Sequence, residues 1–373
     1  MEKKNKISVS QILDSSWFKS VAAALICALI GILIGYVILL AINAEHASKA
    51  LSTILKSFMY FKKPALRMET LGSTLVKSVP MILCGLSVLF AYKTGLFNIG
   101  AGGQYCIGIG ASLWAALAWH LPWWACVIFA VLVSGLLGAV AGALKAFFNI
   151  NEVIACIMLN WISLYIVNVL LHNEKVMDIS RSETFSIAQV SPGSLLPSLG
   201  LGKFFNNNPY VSIAIPLSVL VAVLILIVLE KTVFGYEIRS TGLNKFAAKY
   251  AGMKEKKNIV LSMAISGAIA GLAASLYYLT GIQAWKTSSA VPAMGFNGIA
   301  VAFLGGLHPI GVIFAGFFIQ HITIGGSFID MRYYNPQIAD LISSIIIYAC
   351  AFVLFIKHIL SKMSSKLTGK KGE

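Results

Sequence analysis

Residues Glu230–Lys257 read EKTVFGYEIRSTGLNKFAAKYAGMKEKK, a basic, hydrophilic island with long apolar runs on both sides. Gly235 opens a polar strip, Gly242, Leu243 and Asn244 follow, and a run with helical character from Lys245 to Ala251 ends at Gly252. Continued as one helix, Leu243, Phe246 and Tyr250 share a stripe, while Lys245 and Lys249 stack four apart on another. Ala247, Ala248 and Ala251 leave a third face nearly bare. A short capped helix with a small-residue face and projecting aromatics suits docking into a groove of another protein. A solvated loop that merely obeys charge topology is the competing reading, and the pattern alone does not separate them.

The flanks decide the fold class. The chain is 58% hydrophobic and 12% charged with a mean hydropathy of +0.83, whereas soluble domains carry roughly 25% charge. An all-α polytopic membrane protein is expected, a single transmembrane domain over 1–373. The net charge of +15 does not point to nucleic acid, because the basic residues gather at the N-terminus, in short loops and in the tail 357–373, as the cytoplasmic bias of membrane proteins dictates. Cys27, Cys84, Cys106, Cys126, Cys156 and Cys350 lie in apolar runs without metal-ligand spacing and read as small packing residues. The first apolar run is too long for a cleavable signal and is expected to stay as an anchor.

Taken in order, Lys3, Lys4, Lys6 and Lys19 precede a span at Val21–Ile42, which puts the N-terminus inside. Asn43–Ser73 is amphipathic and basic; an interfacial helix rationalises Phe58, Tyr60 and Phe61, although its charge conflicts with an outside position. Spans are expected at about Thr74–Ala91, through Ala111–Trp119, at Trp123–Phe148, Val153–Leu171 and Tyr210–Leu229, with a long outer loop at His172–Pro209. Six crossings from an inside start bring the island 230–257 inside, in agreement with its charge. Ile259–Gln283 follows, then two short apolar halves within Ala290–Gly326, broken at Gly305-Gly306-Leu307-His308-Pro309, and a last span at Ile338–Ile356 ahead of the basic tail. About ten transmembrane helices are expected, or eight plus a re-entrant helical hairpin.

Gly95–Gly110, GLFNIGAGGQYCIGIG, carries too much glycine for a continuous lipid-exposed helix. Irregular backbone at that depth needs protein or a water-filled path around it, while glycine also serves close helix packing. Asn98 and Gln104 inside it favour the path. Asn160 and Asn168 sit inside another span, where an unpartnered amide costs roughly 1–3 kcal/mol, so they bond between helices or face solute. Gly295–Gly311 is a second glycine-broken segment, and paired discontinuities suggest two pseudo-related halves around a solute path.

Catalytic chemistry is hard to find. HExxH, GxSxG and P-loop patterns are all missing from the sequence, as is any cluster at metal-ligand spacing, so no catalytic or metal residue is expected. Carboxylates at mid-span depth, which ion-coupled carriers use, are scarce as well. A neutral polar solute and an energy source outside this chain are the expectation.

Four segments carry a resemblance. Gly95-Leu96-Phe97-Asn98-Ile99-Gly100-Ala101-Gly102-Gly103-Gln104 is similar to a GLFNIGAEGQ signature, and Asn151-Glu152-Val153-Ile154 through Ile157-Met158-Leu159-Asn160 to an NEVI…IMLN run. Arg239-Ser240-Thr241-Gly242-Leu243-Asn244 through Ala247–Met253 looks like an RxxGxNxxAAxYAGI loop, and Gly295-Phe296-Asn297-Gly298 through Gly306 like GFxGIAVALLG. Together they resemble the permease subunits of branched-chain amino-acid/simple-sugar type ABC importers. The NEVI and IMLN runs with Ser194-Leu195-Leu196-Pro197 look closest to the nucleoside-importing branch with a lipoprotein receptor; a ribose-like sugar importer is the alternative, and a stand-alone ion-coupled carrier or channel the alternative of another class.

The resemblance implies a non-catalytic subunit of a bacterial plasma-membrane importer with both termini cytoplasmic. Its partners would be a homologous second permease, an extracellular substrate-binding lipoprotein and a cytoplasmic ATPase with two nucleotide-binding modules that binds ATP and Mg. Arg239, Gly242, Leu243, Asn244, Phe246, Ala247, Ala248, Tyr250 and Gly252 would couple to that ATPase, within a loop spanning 230–257. Asn98, Gln104, Asn160, Phe296 and Asn297 would line the translocation path. One departure stands out: Gly102 occupies a position where the pattern commonly has glutamate.

Overall fold

The computed structural model describes residues 16–335, 337–350 and 352–367; Lys3, Lys4, Lys6 and the end of the basic tail lie outside the described residues. In chain order come α1 (Ser16–Ile42), α2 (Ala44–Lys56), α3 (Pro64–Lys93), α4 (Ala101–Leu117), α5 (Trp123–Phe148) and α6 (Glu152–Leu171). A two-stranded ribbon, β1 (Met177–Asp178) with β2 (Glu183–Thr184), and the single turn α7 (Ile187–Val190) lead to α8 (Ala214–Lys231). Then follow α9 (Val233–Leu243), α10 (Lys245–Tyr250), α11 (Glu255–Tyr278), α12 (Ala293–Leu304), α13 (Pro309–Gly326), α14 (Ile338–Cys350) and α15 (Val353–Leu367).

The chain is a multi-pass all-α membrane protein. Among the described residues, seven helices, α1, α3, α5, α6, α8, α11 and α13, are long and apolar enough to cross a bilayer, and α14 with α15, bent by 48°, makes an eighth. Two further apolar helices fall short of that length, α4 with 17 residues and α12 with 12. These two carry the glycine-rich segments.

The described residues form two compact units, those within 16–57, 303–307 and 322–367, and those within 58–302 and 308–321. In the first, glycines let α14 lie directly on α1: a methyl group on Gly31 would stand 2.7 Å from the Ile346 Cα. Asn43 caps α2 by accepting from the His46 N–H at 3.2 Å, and Tyr334 donates to the Asn43 carbonyl at 2.8 Å. The outward side chains of α1, Leu25, Leu29 and Leu33, are exposed, as a lipid-facing stripe should be.

In the second unit α3 is the central helix, buried over nearly all of its apolar window. It begins at Pro64, ten residues before the span expected from hydropathy (Thr74). Proline at the first helical position and good helix formers at 65–69 extend it through the basic stretch. α11 lies against α5 along a seam of Ser134, Gly138 and Gly142 facing Met263, Gly267 and Gly271, where a Cβ on Gly138 would meet the Gly267 Cα at 3.2 Å. The opposite face of α5 presents Leu132 and Leu136 to lipid.

α3 also orders the ends of this unit. Near its start, Asn208 of the long loop donates to the Glu69 carbonyl at 2.9 Å and to Ser73 Oγ at 2.8 Å. Its other end, Lys93–Gly95, touches Gly242 of the basic island. The loop after α6 and the island thus lie at opposite ends of one spanning helix, which is the parity that counting crossings predicts.

Candidate functional site

The island folds into two helices rather than one. Thr232 caps α9 by accepting from the Gly235 N–H at 3.0 Å, and Asn244 caps α10 by accepting from Phe246 at 3.0 Å and Ala247 at 3.1 Å. Asn244 is extended, with φ −157°, so Leu243 ends α9 while Phe246 and Tyr250 belong to α10. The stripe read from the sequence is therefore a patch shared between two elements. Gly252 closes α10 at φ +83°, and Met253 donates back to the Ala248 carbonyl at 3.0 Å.

The patch projects from the unit. Leu243 is 89% exposed, Phe246 66% and Tyr250 94%, with the Lys245 ammonium 5.1 Å from the Phe246 ring. Ala247 is exposed while Ala248 is buried, seating α10 on the unit. Arg239 is half-buried and its Nε has no hydrogen-bond partner. Gly242 lies where a Cβ would stand 2.9 Å from the Gly95 nitrogen, so the island rests directly on the start of the glycine-rich segment. Gly95 turns there at φ +76°.

That segment combines both readings of its glycines. The backbone break is confined to residues 94–100, and α4 runs unbroken from Ala101. Gly103, Gly108 and Gly110 inside α4 serve close packing: a Cβ on Gly103 would lie 2.6 Å from the Asn160 Cα, one on Gly108 2.8 Å from the Gly271 Cα, and one on Gly110 2.7 Å from Val167. Gly295 of α12 meets Gly102 of α4 backbone to backbone, a Cβ there falling 2.5 Å from the Gly102 Cα. Gly102 itself faces Val291 and the Phe296 ring, 3.1 and 3.2 Å from a built Cβ. A longer side chain at this position, such as the glutamate common in the resembling pattern, would have to displace Phe296.

Three of the amides expected on the path, Asn98, Gln104 and Asn160, are buried and hydrogen-bonded within the unit. Asn98 Nδ2 donates to Gln104 Oε1 at 2.8 Å and to Ser266 Oγ at 2.7 Å, and Ser134 Oγ donates to the Gln104 carbonyl at 2.9 Å. Asn160 accepts from the Gly103 N–H at 2.7 Å and donates to the Ile99 carbonyl at 3.2 Å. Asn98 and Gln104 are almost wholly buried. Phe296 and Asn297 differ: Phe296 is 36% exposed and Asn297 intermediate. Ser87, Ser134 and Ser266 bond into the Asn98–Gln104 cluster and Thr94 pairs separately with Ser262; the sequence reading passed over all five. Asn258, Ser262 and Ser266 recur every four residues through an apolar run, and that spacing was the available signal.

At the far end of the unit, the ribbon β1–β2 joins the segment after α11. Thr184 N–H donates to the Trp285 carbonyl at 2.9 Å and Thr287 N–H to Ser182 at 3.1 Å. A cavity of about 280 Å³ opens there, lined by Asp178, Arg181, Glu183, Phe185, Gln189 and Gln283 among others. The Ser180 hydroxyl, donating at 2.5 Å, holds the Asp178 carboxyl below its ordinary range, helped by backbone N–H groups and Arg181. Among the described residues no three His, Cys, Asp or Glu side chains gather as a metal set.

Comparison with known proteins places these features in one class. The family model for the branched-chain amino acid transport system / permease component matches residues 70–351. The chain is 35% identical over 302 residues to the guanosine ABC transporter permease protein NupP of Bacillus subtilis, covering 79% of this chain and 84% of that protein. It is 32% identical over 314 residues to the nucleoside ABC transporter permease protein NupB of Lactococcus lactis, covering 82% and 86%. A second Bacillus subtilis protein, the guanosine ABC transporter permease protein NupQ, is 28% identical over 306 residues, covering 76% and 91%. No solved structure matches the chain.

Proposed function

This chain belongs to the branched-chain amino acid transport system / permease component family, and from that premise we propose that it is the membrane-spanning subunit of an ATP-driven nucleoside importer. The relatives named for guanosine and nucleosides support the solute class. The likeness to both NupP and NupQ of one organism supports pairing with a second, homologous permease. The observation that carries the coupling role is the capped, lysine-flanked patch of Leu243, Phe246 and Tyr250, held out from the unit. Apolar side chains at such exposure in an aqueous loop are accounted for by a partner's groove.

In this reading a cytoplasmic ATPase with two nucleotide-binding modules, holding ATP and Mg, seats α10 between its domains. An extracellular lipoprotein delivers solute to the ribbon and cavity at the other end, and both termini of this chain are cytoplasmic. The chain forms half the path and performs no covalent step. Phe296 and Asn297 meet solute in the present arrangement, while Asn98, Gln104 and Asn160 come into contact with it when α4 and α12 rock apart at Gly102–Gly295. The phenyl ring and the amides suit a base and a ribose.

The test is purification of the complex through a tag on this chain, followed by reconstitution with a mixture of radiolabelled ribonucleosides. ATP-dependent uptake is expected, and none without ATP. Flux through the isolated chain in the absence of ATPase, or uptake of sugars but no nucleoside, overturns the assignment. Alanine at Asn98, Gln104 and Asn160 should alter which nucleoside is preferred; an unchanged preference at reduced rate assigns them to packing.

A further inference from the structure

Three buried polar side chains of α11, Asn258, Ser262 and Ser266, lie in one row. Asn258, Ser262 and Ser266 are four residues apart and so lie along one side of the helix, each about 6 Å further along its axis. Each bonds a different element. Asn258 Nδ2 donates to Thr241 Oγ1 of α9 at 3.2 Å. Thr94 Oγ1, beside the Gly95 turn, donates to Ser262 Oγ at 2.6 Å. Ser266 Oγ donates to the Ser87 carbonyl of α3 at 2.7 Å and accepts from Asn98, while Ser87 Oγ donates to the Ser266 carbonyl at 2.7 Å. All seven residues in these bonds are buried.

The line begins on the helix that precedes the docking patch and ends on the amides of the glycine-rich segment. Packing alone does not require it, since α11 already holds α5 through its glycine seam on another side. In a bilayer interior, a hydroxyl that loses its partner has no water to replace it, so each rung prefers a paired position over any intermediate one. Gly242 leaves no space between α9 and Gly95, so a push on α9 has to be taken up at these rungs.

We propose that Asn258, Ser262 and Ser266 are positioning residues for transport: they carry displacement of α9 and α10 into the Gly95–Gln104 segment. This rests on the permease reading above. The measurement is uptake of the radiolabelled ribonucleoside mixture per ATP hydrolysed, in proteoliposomes of the co-purified complex. Ser262→Ala and Ser266→Ala should lower uptake per ATP about ten-fold, the scale of one unpaired buried group. ATP hydrolysis should stay within about two-fold of the parent. Ser262→Thr, which keeps the hydroxyl, should restore the ratio.

Ser112→Ala removes a buried hydroxyl that bonds only within its own helix, to the Ile109 carbonyl, and should leave the ratio unchanged. Thr94→Val preserves shape and removes the donor from the opposite side, so it tests the same rung if the α11 variants assemble poorly. A parallel fall of uptake and hydrolysis, an equal effect of Ser112→Ala, or an unaltered ratio in Thr94→Val overturns the proposal. Failure of the permease reading looks different, because the parent complex itself then shows no ATP-driven uptake.

Discussion

The docking patch and the polar line of α11 each reverse the usual placement of side chains. In the patch, a leucine and two aromatics stand exposed among lysines; along α11, an asparagine and serines are buried inside the unit. The reversals have different causes. Exposed apolar area in an aqueous loop is stabilised only when another protein covers it. Buried polar groups in apolar surroundings are stabilised by each other and hold the helices in one register. In the docking reading proposed above, one region is complete only with a partner, and the other is complete within the chain. Substitutions in the first should therefore spare the fold and cost the assembly, and substitutions in the second should spare the assembly and act within the chain.

The largest effect is expected from Phe246→Asp combined with Tyr250→Asp. Two aromatic anchors are worth about 2 kcal/mol each at a protein interface, so affinity for the ATPase should fall roughly a thousand-fold. Co-purification of the ATPase and uptake should both be lost, with this chain still in the membrane at parental amounts. If the ATPase stays bound, the patch is a solvated loop and the contrast between the regions disappears.

Next come the glycines where α12 meets α4. Gly295→Ala drives a methyl group into the Gly102 backbone, which cannot step aside, and should destabilise the unit by about 1–3 kcal/mol. Gly102→Ala meets the side chains of Val291 and Phe296, which can move, so its cost should be smaller. Thermal unfolding in detergent ranks the two, and equal costs mean that the two helices do not rely on backbone contact here. Asn98→Ala should cost about 1–3 kcal/mol by leaving Gln104 and Ser266 without their amide. Gln104→Ala in the Asn98→Ala background should add much less than it does alone, because the two share a network.

Much of the fold and of the patch was legible from the chain itself. The apolar runs gave the helices, and counting crossings put the island and the long loop at opposite ends of α3, as found. Asn244 and Gly252 at the two ends of Lys245–Ala251 announced a capped helix, and the structure has it. The separation of Leu243 from that helix was not legible, since an Asn cap preserves helical spacing on either side of it. Nor was the start of α3 at Pro64, because hydropathy registers oil and not helix. The buried network was half visible: Asn98 and Gln104 stood out as amides in an apolar run, whereas serines at four-residue intervals look like ordinary small residues until their partners on α3 and α9, far away in sequence, are known. The backbone contact of Gly102 with Gly295 is likewise a long-range fact, and glycine alone did not say which of its uses applied.

The smallest effect is expected where the usual rule holds, at the charged groups around the cavity beside the β1–β2 ribbon. Asp178 is a carboxylate in water, steadied by the Ser180 hydroxyl, and its folded-state titration is lowered relative to the unfolded chain. A lowered carboxyl contributes stability that is present above its unfolded value, about pH 4, and is lost as pH falls through the folded one. Between pH 5 and 8 the group stays ionised, so neither unfolding temperature nor nucleoside uptake should respond to pH through it. Asp178→Asn should then be slightly less stable than the parent at neutral pH, and the two should converge below pH 4 as the parent loses its carboxylate. A large loss of uptake in Asp178→Asn at pH 7, without a change in stability, would mean that the charge meets the solute or its receptor. That cavity would then join the docking patch as a surface that is complete only when another molecule occupies it.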